Sequence, residues 1–211
     1  MKIQVENMNE IPRSKEEWGK WVSRDRIRKW EEAKTEKRKK EVIAGEYLLN
    51  KTLFDLSKER DFKELQNLSL PLSYQKNEYG APYLPGNPFY FNWSHSGDYV
   101  ALALSKDPVG IDLQKRKSYK DSVAKKYFPA SVWEEIKNLN PEEKEIAFFR
   151  CWTLTEAWLK AKGCGFYQFE KPKHFSWKEE TGVILGKDWI PWNYRFISLQ
   201  NKYELCVVTK K

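Results

Sequence analysis

One stretch, residues 141–163, constrains the fold most strongly, because it predicts a long helix that is apolar on nearly every side. Asn140 is a preferred N-cap residue, Pro141 suits the first helical position, and Gly163 stands where a left-handed C-cap is expected. A helix that is apolar all round belongs in the interior of a protein. Glu156 nevertheless lies in the middle of it, and a buried carboxylate needs a cation or hydrogen-bond donors.

The neighbours of Glu156 along the helix suggest two explanations for its charge. Trp152 lies one turn before Glu156 and Lys160 lies one turn after it, so the three side chains form one stripe. An ordinary salt bridge between Glu156 and Lys160 is the simpler explanation. A functional site that uses the carboxylate is the other, and helix spacing alone does not choose between them.

Charge and cysteine content narrow the class of protein. The formal net charge of +8 favours a polyanionic partner, which could be nucleic acid, an anionic membrane, a phosphorylated cofactor or an acidic protein. Three widely spaced cysteines and two histidines predict neither a disulfide framework nor a zinc site. We find no apolar run near the ~20 residues of a membrane span and no signal-peptide pattern, so we expect a cytoplasmic protein without a membrane partner.

The order of predicted elements indicates an α+β fold. Its two halves have similar content, and we expect them to cover residues 1–105 and 106–211 of one compact unit. The predicted helices are 15–30, 34–56, 119–127, 131–139 and 141–163. The predicted strands are 1–8, 89–93, 99–104, 109–113, 174–178, 183–185, 194–199 and 203–208, with residues 94–98 as a hairpin turn between the second and third.

A polar face is predicted on the segment 109–114. Side chains alternate between the two faces of a strand, so Gly110, Asp112 and Gln114 share one face. Asp112 and Gln114 therefore project together, and the glycine clears space beside them. A residue that only caps a turn is the alternative for Asp112.

Three blocks of residues follow one another in the chain. They are 79–84 with 91–97 (YGAPYL and FNWSHSG), 109–114 (VGIDLQ) and 152–165 (WTLTEAWLKAKGCG). Their order and spacing resemble the 4′-phosphopantetheinyl transferase superfamily, in its double-size, surfactin-synthetase-activating branch. The resemblance implies a pseudo-twofold pair of α/β halves with a cofactor cleft between them.

The resemblance also implies an activity. Members transfer the 4′-phosphopantetheine arm of coenzyme A to a serine of an acyl or peptidyl carrier protein and release adenosine 3′,5′-bisphosphate. A magnesium ion binds the diphosphate, the carrier is typically acidic, and the enzyme is usually a monomer. Mg²⁺ prefers one or two carboxylates together with phosphate oxygens and water.

The metal and catalytic residues follow from the matching positions. By resemblance, Asp112, Gln114 and Glu156 hold the metal, while Glu156, Lys160 and His95 are the catalytic candidates. His95 and Lys160 also count among the coenzyme A ligands. The carrier serine could lose its proton to Glu156 directly or through a metal-bound water, and the sequence leaves both routes open.

Further coenzyme A ligands are expected from the same comparison. Ser94 precedes His95 in the family's Ser-His pair, which contacts the phosphates. Tyr79 and Gly80 are expected along the adenine side. Lys39 and Lys40 fall near the family's basic residues for the 3′-phosphate, and a solvated helix face is the alternative for these two lysines.

Three positions depart from the family pattern. Ala81 and Thr155 stand where lysine is usual, and Gln114 replaces an acid. The lost charges suggest an alternative function, a catalytically weakened relative that binds coenzyme A or a carrier protein without efficient transfer.

Two predictions concern macromolecular partners. Phe166, Tyr167 and Phe169 follow the 141–163 helix and could form an apolar patch for the carrier protein, or could simply pack into the core. Nucleic-acid binding would rest only on charge and aromatic content. The chain has no recognisable nucleic-acid-binding motif, so we expect no nucleic-acid partner.

Overall fold

The computed structural model describes residues 1–59, 68–86, 89–199 and 202–210 and confirms the predicted α+β fold. The helices are α1 (Lys15–Trp18), α2 (Arg24–Glu32), α3 (Glu36–Ser57), α4 (Asp121–Tyr127), α5 (Ala130–Ile136) and α6 (Pro141–Ala161). The strands are β1 (Lys2–Asn7), β2 (Gln75–Lys76), β3 (Pro82–Tyr83), β4 (Tyr90–Ser96), β5 (Tyr99–Ser105), β6 (Val109–Lys115), β7 (Thr181–Leu185), β8 (Pro191–Ser198) and β9 (Tyr203–Lys210).

The first half of the chain builds an antiparallel sheet in the order β1-β5-β4, and α3 packs on β5 and β4. Thr35 caps α3 by accepting a hydrogen bond from the backbone N–H of Arg38. From Val42 onward most residues of α3 are buried. The helix therefore begins in solvent and ends inside the core of this half.

The second half builds an antiparallel sheet in the order β6-β9-β8-β7, and α6 packs on β6 and β9. Asn140 caps α6 through its side-chain oxygen, which accepts from the backbone N–H of Glu143 at 3.0 Å. Gly163 follows the helix with φ of 71°, the left-handed conformation expected of it.

The two sheets share one topology. In each, an initial strand is followed by helices and then by a hairpin whose last strand pairs with the initial one. This produces the orders β1-β5-β4 and β6-β9-β8, with a long helix on each sheet. The similarity agrees with a pseudo-twofold arrangement, whereas the boundary between residues 105 and 106 stays a prediction.

The halves meet where β4 lies against β6. The side-chain oxygen of Asn92 accepts from the backbone N–H of Ile111 at 3.4 Å, and the hydroxyl of Ser96 accepts from that of Lys115 at 3.0 Å. On the other side of β6, a Cβ atom at Gly110 would overlap the carbonyl oxygen of Ala157, so α6 lies directly on the strand. This close approach brings residues of α6 next to Asp112.

Three predicted elements differ from the structure. The helix 15–30 is divided, because the Ser23 side chain caps a new helix at Arg24. Strand β4 continues through Ser96, and the turn is only Gly97 and Asp98. The predicted strand 174–178 is reduced to a single bridge at His174.

The extension of β4 has a physical reason, since Ser94 and Ser96 hydrogen-bond to β6 and are held in the sheet.

Within the described residues, none of the helices combines the length and the apolar character that a membrane crossing requires.

Candidate active site

Asp112 is the centre of a buried polar cluster between β4, β6 and α6. Its side chain is 1% exposed and accepts three side-chain hydrogen bonds. Ser94 Oγ and Lys160 Nζ donate to its Oδ1 at 2.8 and 2.6 Å. Gln114 Nε2 donates to Oδ2 at 3.1 Å. Both neighbouring elements, β4 and α6, therefore hold the Asp112 carboxylate in one position.

Glu156 completes this cluster from α6. Its Oε2 lies 3.9 Å from Lys160 Nζ, so this one ammonium group serves both carboxylates. Burial, followed by the negative charge of Asp112, raises the pKa of Glu156 to about 7, although Lys160 opposes the rise. A carboxyl group with such a pKa can accept or release a proton near neutral pH.

The donor set suits a hard divalent cation. Asp112 and Glu156 offer carboxylate oxygens, and Gln114 offers an amide oxygen, which are ligands that Mg²⁺ accepts. No group of three or more His, Cys, Asp and Glu side chains that could hold a metal occurs in the described part of the chain. A cation at this cluster would therefore need oxygens from a bound phosphate or from water, as Mg²⁺ in phosphate sites commonly has.

A cleft of about 320 Å³, the principal cleft, opens beside Lys160 of this cluster. Three cationic side chains line it, Arg26, Lys76 and Lys160. The predicted residues Tyr79 and Gly80 also line it. A neighbouring cleft of about 360 Å³ shares part of this wall, including Lys160. The positively charged lining suits a polyanionic ligand.

The hairpin formed by β2 and β3 is joined to the end of α6 across this cleft. Asn77 Nδ2 donates to the carbonyl oxygen of Gly163 at 2.7 Å, and the side chain of Gln168 bonds to the hydroxyl of Tyr79. Ala81, where the family pattern has lysine, lines the cleft. Lys76 lies on the same hairpin, so a positive charge is present there in spite of Ala81.

Ser94 and His95 are neighbours in sequence but face opposite sides of β4. Ser94 points to β6 and bonds to Asp112, whereas His95 shares the other face with Phe91 and Trp93, which belong to the α3 side. Burial lowers the pKa of His95, with the nearby negative charge of Glu41 acting in the opposite direction. The structure therefore separates the Ser-His pair between two environments.

Lys39 and Lys40 lie outside the cleft that contains Lys160. They line a different cleft of about 350 Å³ beside Trp30. Lys39 Nζ pairs with Glu36 at 2.9 Å, and Lys40 Nζ donates to Asn9 Oδ1 at 2.7 Å. Their role as coenzyme A ligands stays a prediction.

Arg26, which the sequence reasoning missed, lines the principal cleft instead. The available signal was Glu46, an acid within the apolar part of α3 that required a buried cation.

The remaining predicted positions divide between core and surface. Thr155 is fully buried and donates its hydroxyl to the carbonyl oxygen of Cys151 at 2.8 Å, so this position does not share the face of Glu156. Phe169 packs against the core beside Tyr127, whereas Phe166 and Tyr167 are 41% and 80% exposed. The predicted aromatic patch is thus reduced to its two exposed members.

Comparisons with known proteins point to one family. Residues 108–208 match the family model described as ACPS, 4′-phosphopantetheinyl transferase superfamily. The 4′-phosphopantetheinyl transferase gsp of Aneurinibacillus migulanus is 31% identical over 152 residues, 69% of this chain and 57% of that protein. The 4′-phosphopantetheinyl transferase Sfp of Bacillus subtilis (strain 168) is 32% identical over 95 residues, 44% of this chain and 42% of that protein. The chain thus spans about half the length of these relatives.

Proposed function

Because this chain belongs to the 4′-phosphopantetheinyl transferase superfamily, we propose that it transfers the 4′-phosphopantetheine arm of coenzyme A to a serine of a carrier protein. The observation that supports the proposal most directly is the cluster of Asp112, Glu156 and Lys160, whose lysine also lines a cleft with two further cationic side chains. Two carboxylates and one ammonium group beside a cationic cleft suit the transfer of a phosphate ester.

Coenzyme A binding would use the cations of the cleft. Arg26, Lys76 and Lys160 face the space in which a diphosphate and a further phosphate must be accommodated. Charge-assisted hydrogen bonds to phosphate are about twice as strong as neutral ones. Ser94 would act through its hydrogen bond to Asp112, His95 from the opposite face of β4, and Tyr79 from the lining of the cleft, as expected for the adenine side.

Asp112, Glu156 and the amide oxygen of Gln114 would hold Mg²⁺. When bound, the ion would neutralise negative charge on the diphosphate. Lys160 already lies between the two carboxylates, at 2.6 Å from Asp112 Oδ1 and 3.9 Å from Glu156 Oε2. The ammonium group of Lys160 could therefore turn towards the phosphate of a bound ligand when the two carboxylates bind the metal.

The transfer step balances with groups of this chain. The serine oxygen of the carrier attacks the phosphorus that bears the pantetheine arm, and a new O–P bond forms. The bond from that phosphorus to the bridging oxygen breaks, and its electron pair leaves with adenosine 3′,5′-bisphosphate. A carboxylate oxygen of Glu156 accepts the serine proton, directly or through a water molecule. Lys160 offsets negative charge on the leaving phosphate.

The carrier partner would be acidic. The chain carries a net charge of +8, which favours association with an anionic protein. Phe166 stacks on Trp152 with ring centroids 5.7 Å apart, and Tyr167 beside it is largely exposed. We propose that these two exposed rings contact the carrier next to the end of α6.

Intact-mass analysis tests the proposed function. Several apo carrier proteins are incubated with coenzyme A, Mg²⁺ and the folded protein, and one carrier is expected to gain a single phosphopantetheine group. The same reaction without Mg²⁺, or with Asp112→Asn, is the control and should give no product. A broad set of carriers that all remain unmodified at saturating coenzyme A would contradict the proposal.

A second candidate function is binding without efficient transfer. Ala81 on the cleft wall and Gln114 beside Asp112 favour it, because each replaces a charged residue of the family pattern. Calorimetry that detects coenzyme A binding, together with unmodified carriers in the mass assay, would support this alternative.

A further inference from the structure

Glu46 is a buried carboxylate outside the catalytic cluster, and it holds an arginine at the wall of the cleft. Its side chain is 3% exposed, on the apolar part of α3. Its Oε1 accepts from Arg26 Nε at 3.1 Å and from the hydroxyl of Tyr74 at 2.6 Å. Its Oε2 accepts from the backbone N–H of Ser23 at 2.8 Å. Both carboxylate oxygens of Glu46 therefore accept hydrogen bonds, and this carboxylate links α2 to α3.

Trp93 contacts Arg26 with its aromatic ring. The Arg26 guanidinium lies 5.9 Å from the centre of the Trp93 ring, and both residues line the principal cleft. Trp93 in turn lies against Gly45, where a Cβ atom would overlap the indole. The guanidinium is therefore held by an ion pair on one side and by an aromatic ring on another.

The nitrogen that Glu46 engages is Nε, the one nearest the aliphatic chain. This ion pair does not consume the fork formed by the two terminal nitrogens. Such a fork matches the oxygens of a phosphate group. A guanidinium that is already oriented loses less side-chain freedom when it binds an anion.

We infer that Glu46 is a positioning residue, which orients Arg26 to bind a phosphate of coenzyme A. The inference rests on the proposed function for the identity of the ligand. Glu46 does not itself touch the ligand, so its effect must pass through Arg26. This dependence separates a positioning role from a general contribution to folding.

A double-mutant cycle measured by calorimetry tests the inference. The dissociation constant for coenzyme A is determined for the wild type, Arg26→Ala, Glu46→Gln and the double variant. Each single change is expected to raise it about tenfold, the loss of roughly one charge-assisted hydrogen bond. The double variant should resemble Arg26→Ala alone, and Glu46→Gln should raise the KM for coenzyme A more than it lowers kcat.

The matched control is Asp55→Asn, which removes an exposed acid from the same helix, 3.5 Å from Lys58, and should leave coenzyme A binding unchanged. Glu46→Gln with the wild-type dissociation constant, or effects of the two changes that multiply in the double variant, would overturn the inference. If Glu46→Gln does not fold, as judged by circular dichroism, Tyr74→Phe is measured in its place. This change removes the hydrogen bond from the Tyr74 hydroxyl to Glu46 Oε1. The dissociation constant of this variant should rise about threefold for one lost hydrogen bond, and no change would overturn the inference.

The mass assay for transfer separates this result from the proposed function. A wild type that binds coenzyme A but modifies no carrier would contradict the proposed transfer and leave the cycle valid. A wild type that does not bind coenzyme A would overturn both.

Discussion

Replacing Glu156 by glutamine should stabilise the free protein, and the gain should grow with pH. The pKa of Glu156 rises from 4.5 in the unfolded chain to about 7 in the folded protein, chiefly through burial. Between these two values the unfolded chain has released the proton that the folded protein retains, so folding becomes less favourable as pH increases. At 1.36 kcal/mol for each pKa unit, the penalty is about 1 kcal/mol at pH 5 and about 3 kcal/mol at pH 8. Glutamine does not titrate and removes this penalty.

Urea unfolding of both proteins at pH 5 and pH 8, without metal or coenzyme A, measures the effect. The stability difference between Glu156→Gln and the wild type should increase by about 2 kcal/mol between the two pH values. Glu142→Gln is the control, because it removes an exposed acid from the first turn of the same helix and should cost ~0.3–1 kcal/mol. A Glu156→Gln difference that is equal at pH 5 and pH 8 would refute the reasoning.

Three further predictions follow from the same contacts. Asp112→Asn should reduce transfer about 100-fold or more and weaken Mg²⁺ binding in calorimetry, since Lys160 bonds to this carboxylate and the proposed metal site includes it. Near-normal transfer would contradict the proposed role. Gly110→Ala should lower the free energy of unfolding, measured by thermal unfolding, by ~1–3 kcal/mol because the new methyl group would overlap the backbone of Ala157. The control Gly19→Ala should be neutral or stabilising, because its new methyl group would meet only Lys15 Cγ at 3.9 Å. Tyr167→Ala, which removes an 80% exposed ring, should raise the KM for the carrier more than the KM for coenzyme A; equal effects would argue against a carrier contact.

The local signals in the sequence were sufficient for the helices that have clear caps and for the strand that carries Asp112. Asn140 and Gly163 mark the ends of α6, and the alternation along 109–114 places Asp112 and Gln114 on one face. The same signals were misleading where polar residues lie in an internal strand. Ser94, His95 and Ser96 resemble a turn in sequence, but hydrogen bonds from β4 to β6 keep them in the sheet.

The wider surroundings of the site could not be predicted in the same way. Lys39 and Lys40 are adjacent to the expected basic segment, yet they face a different cleft, whereas Arg26 reaches the principal one. Which basic residue reaches the cleft depends on how α2 packs on α3, where Arg26 pairs with the buried Glu46. Helix periodicity describes the faces of one helix and contains no information on the rotation of one helix against another.

The amino-acid sequence by itself determined that this protein has a buried acid on a long apolar helix and a second acid on a nearby strand. It also determined that Lys160 shares a helix face with Glu156 and that Gln114 shares a strand face with Asp112, because residue spacing fixes which side chains lie on one face. Only the tertiary structure decided that Lys160 lies between the two acids, that the cleft beside them is lined by Arg26 and Lys76, and that Ser94 and His95 face apart. Those relations join residues far apart in the chain, and they are set by the close packing of α6 on β6 and of β4 against it.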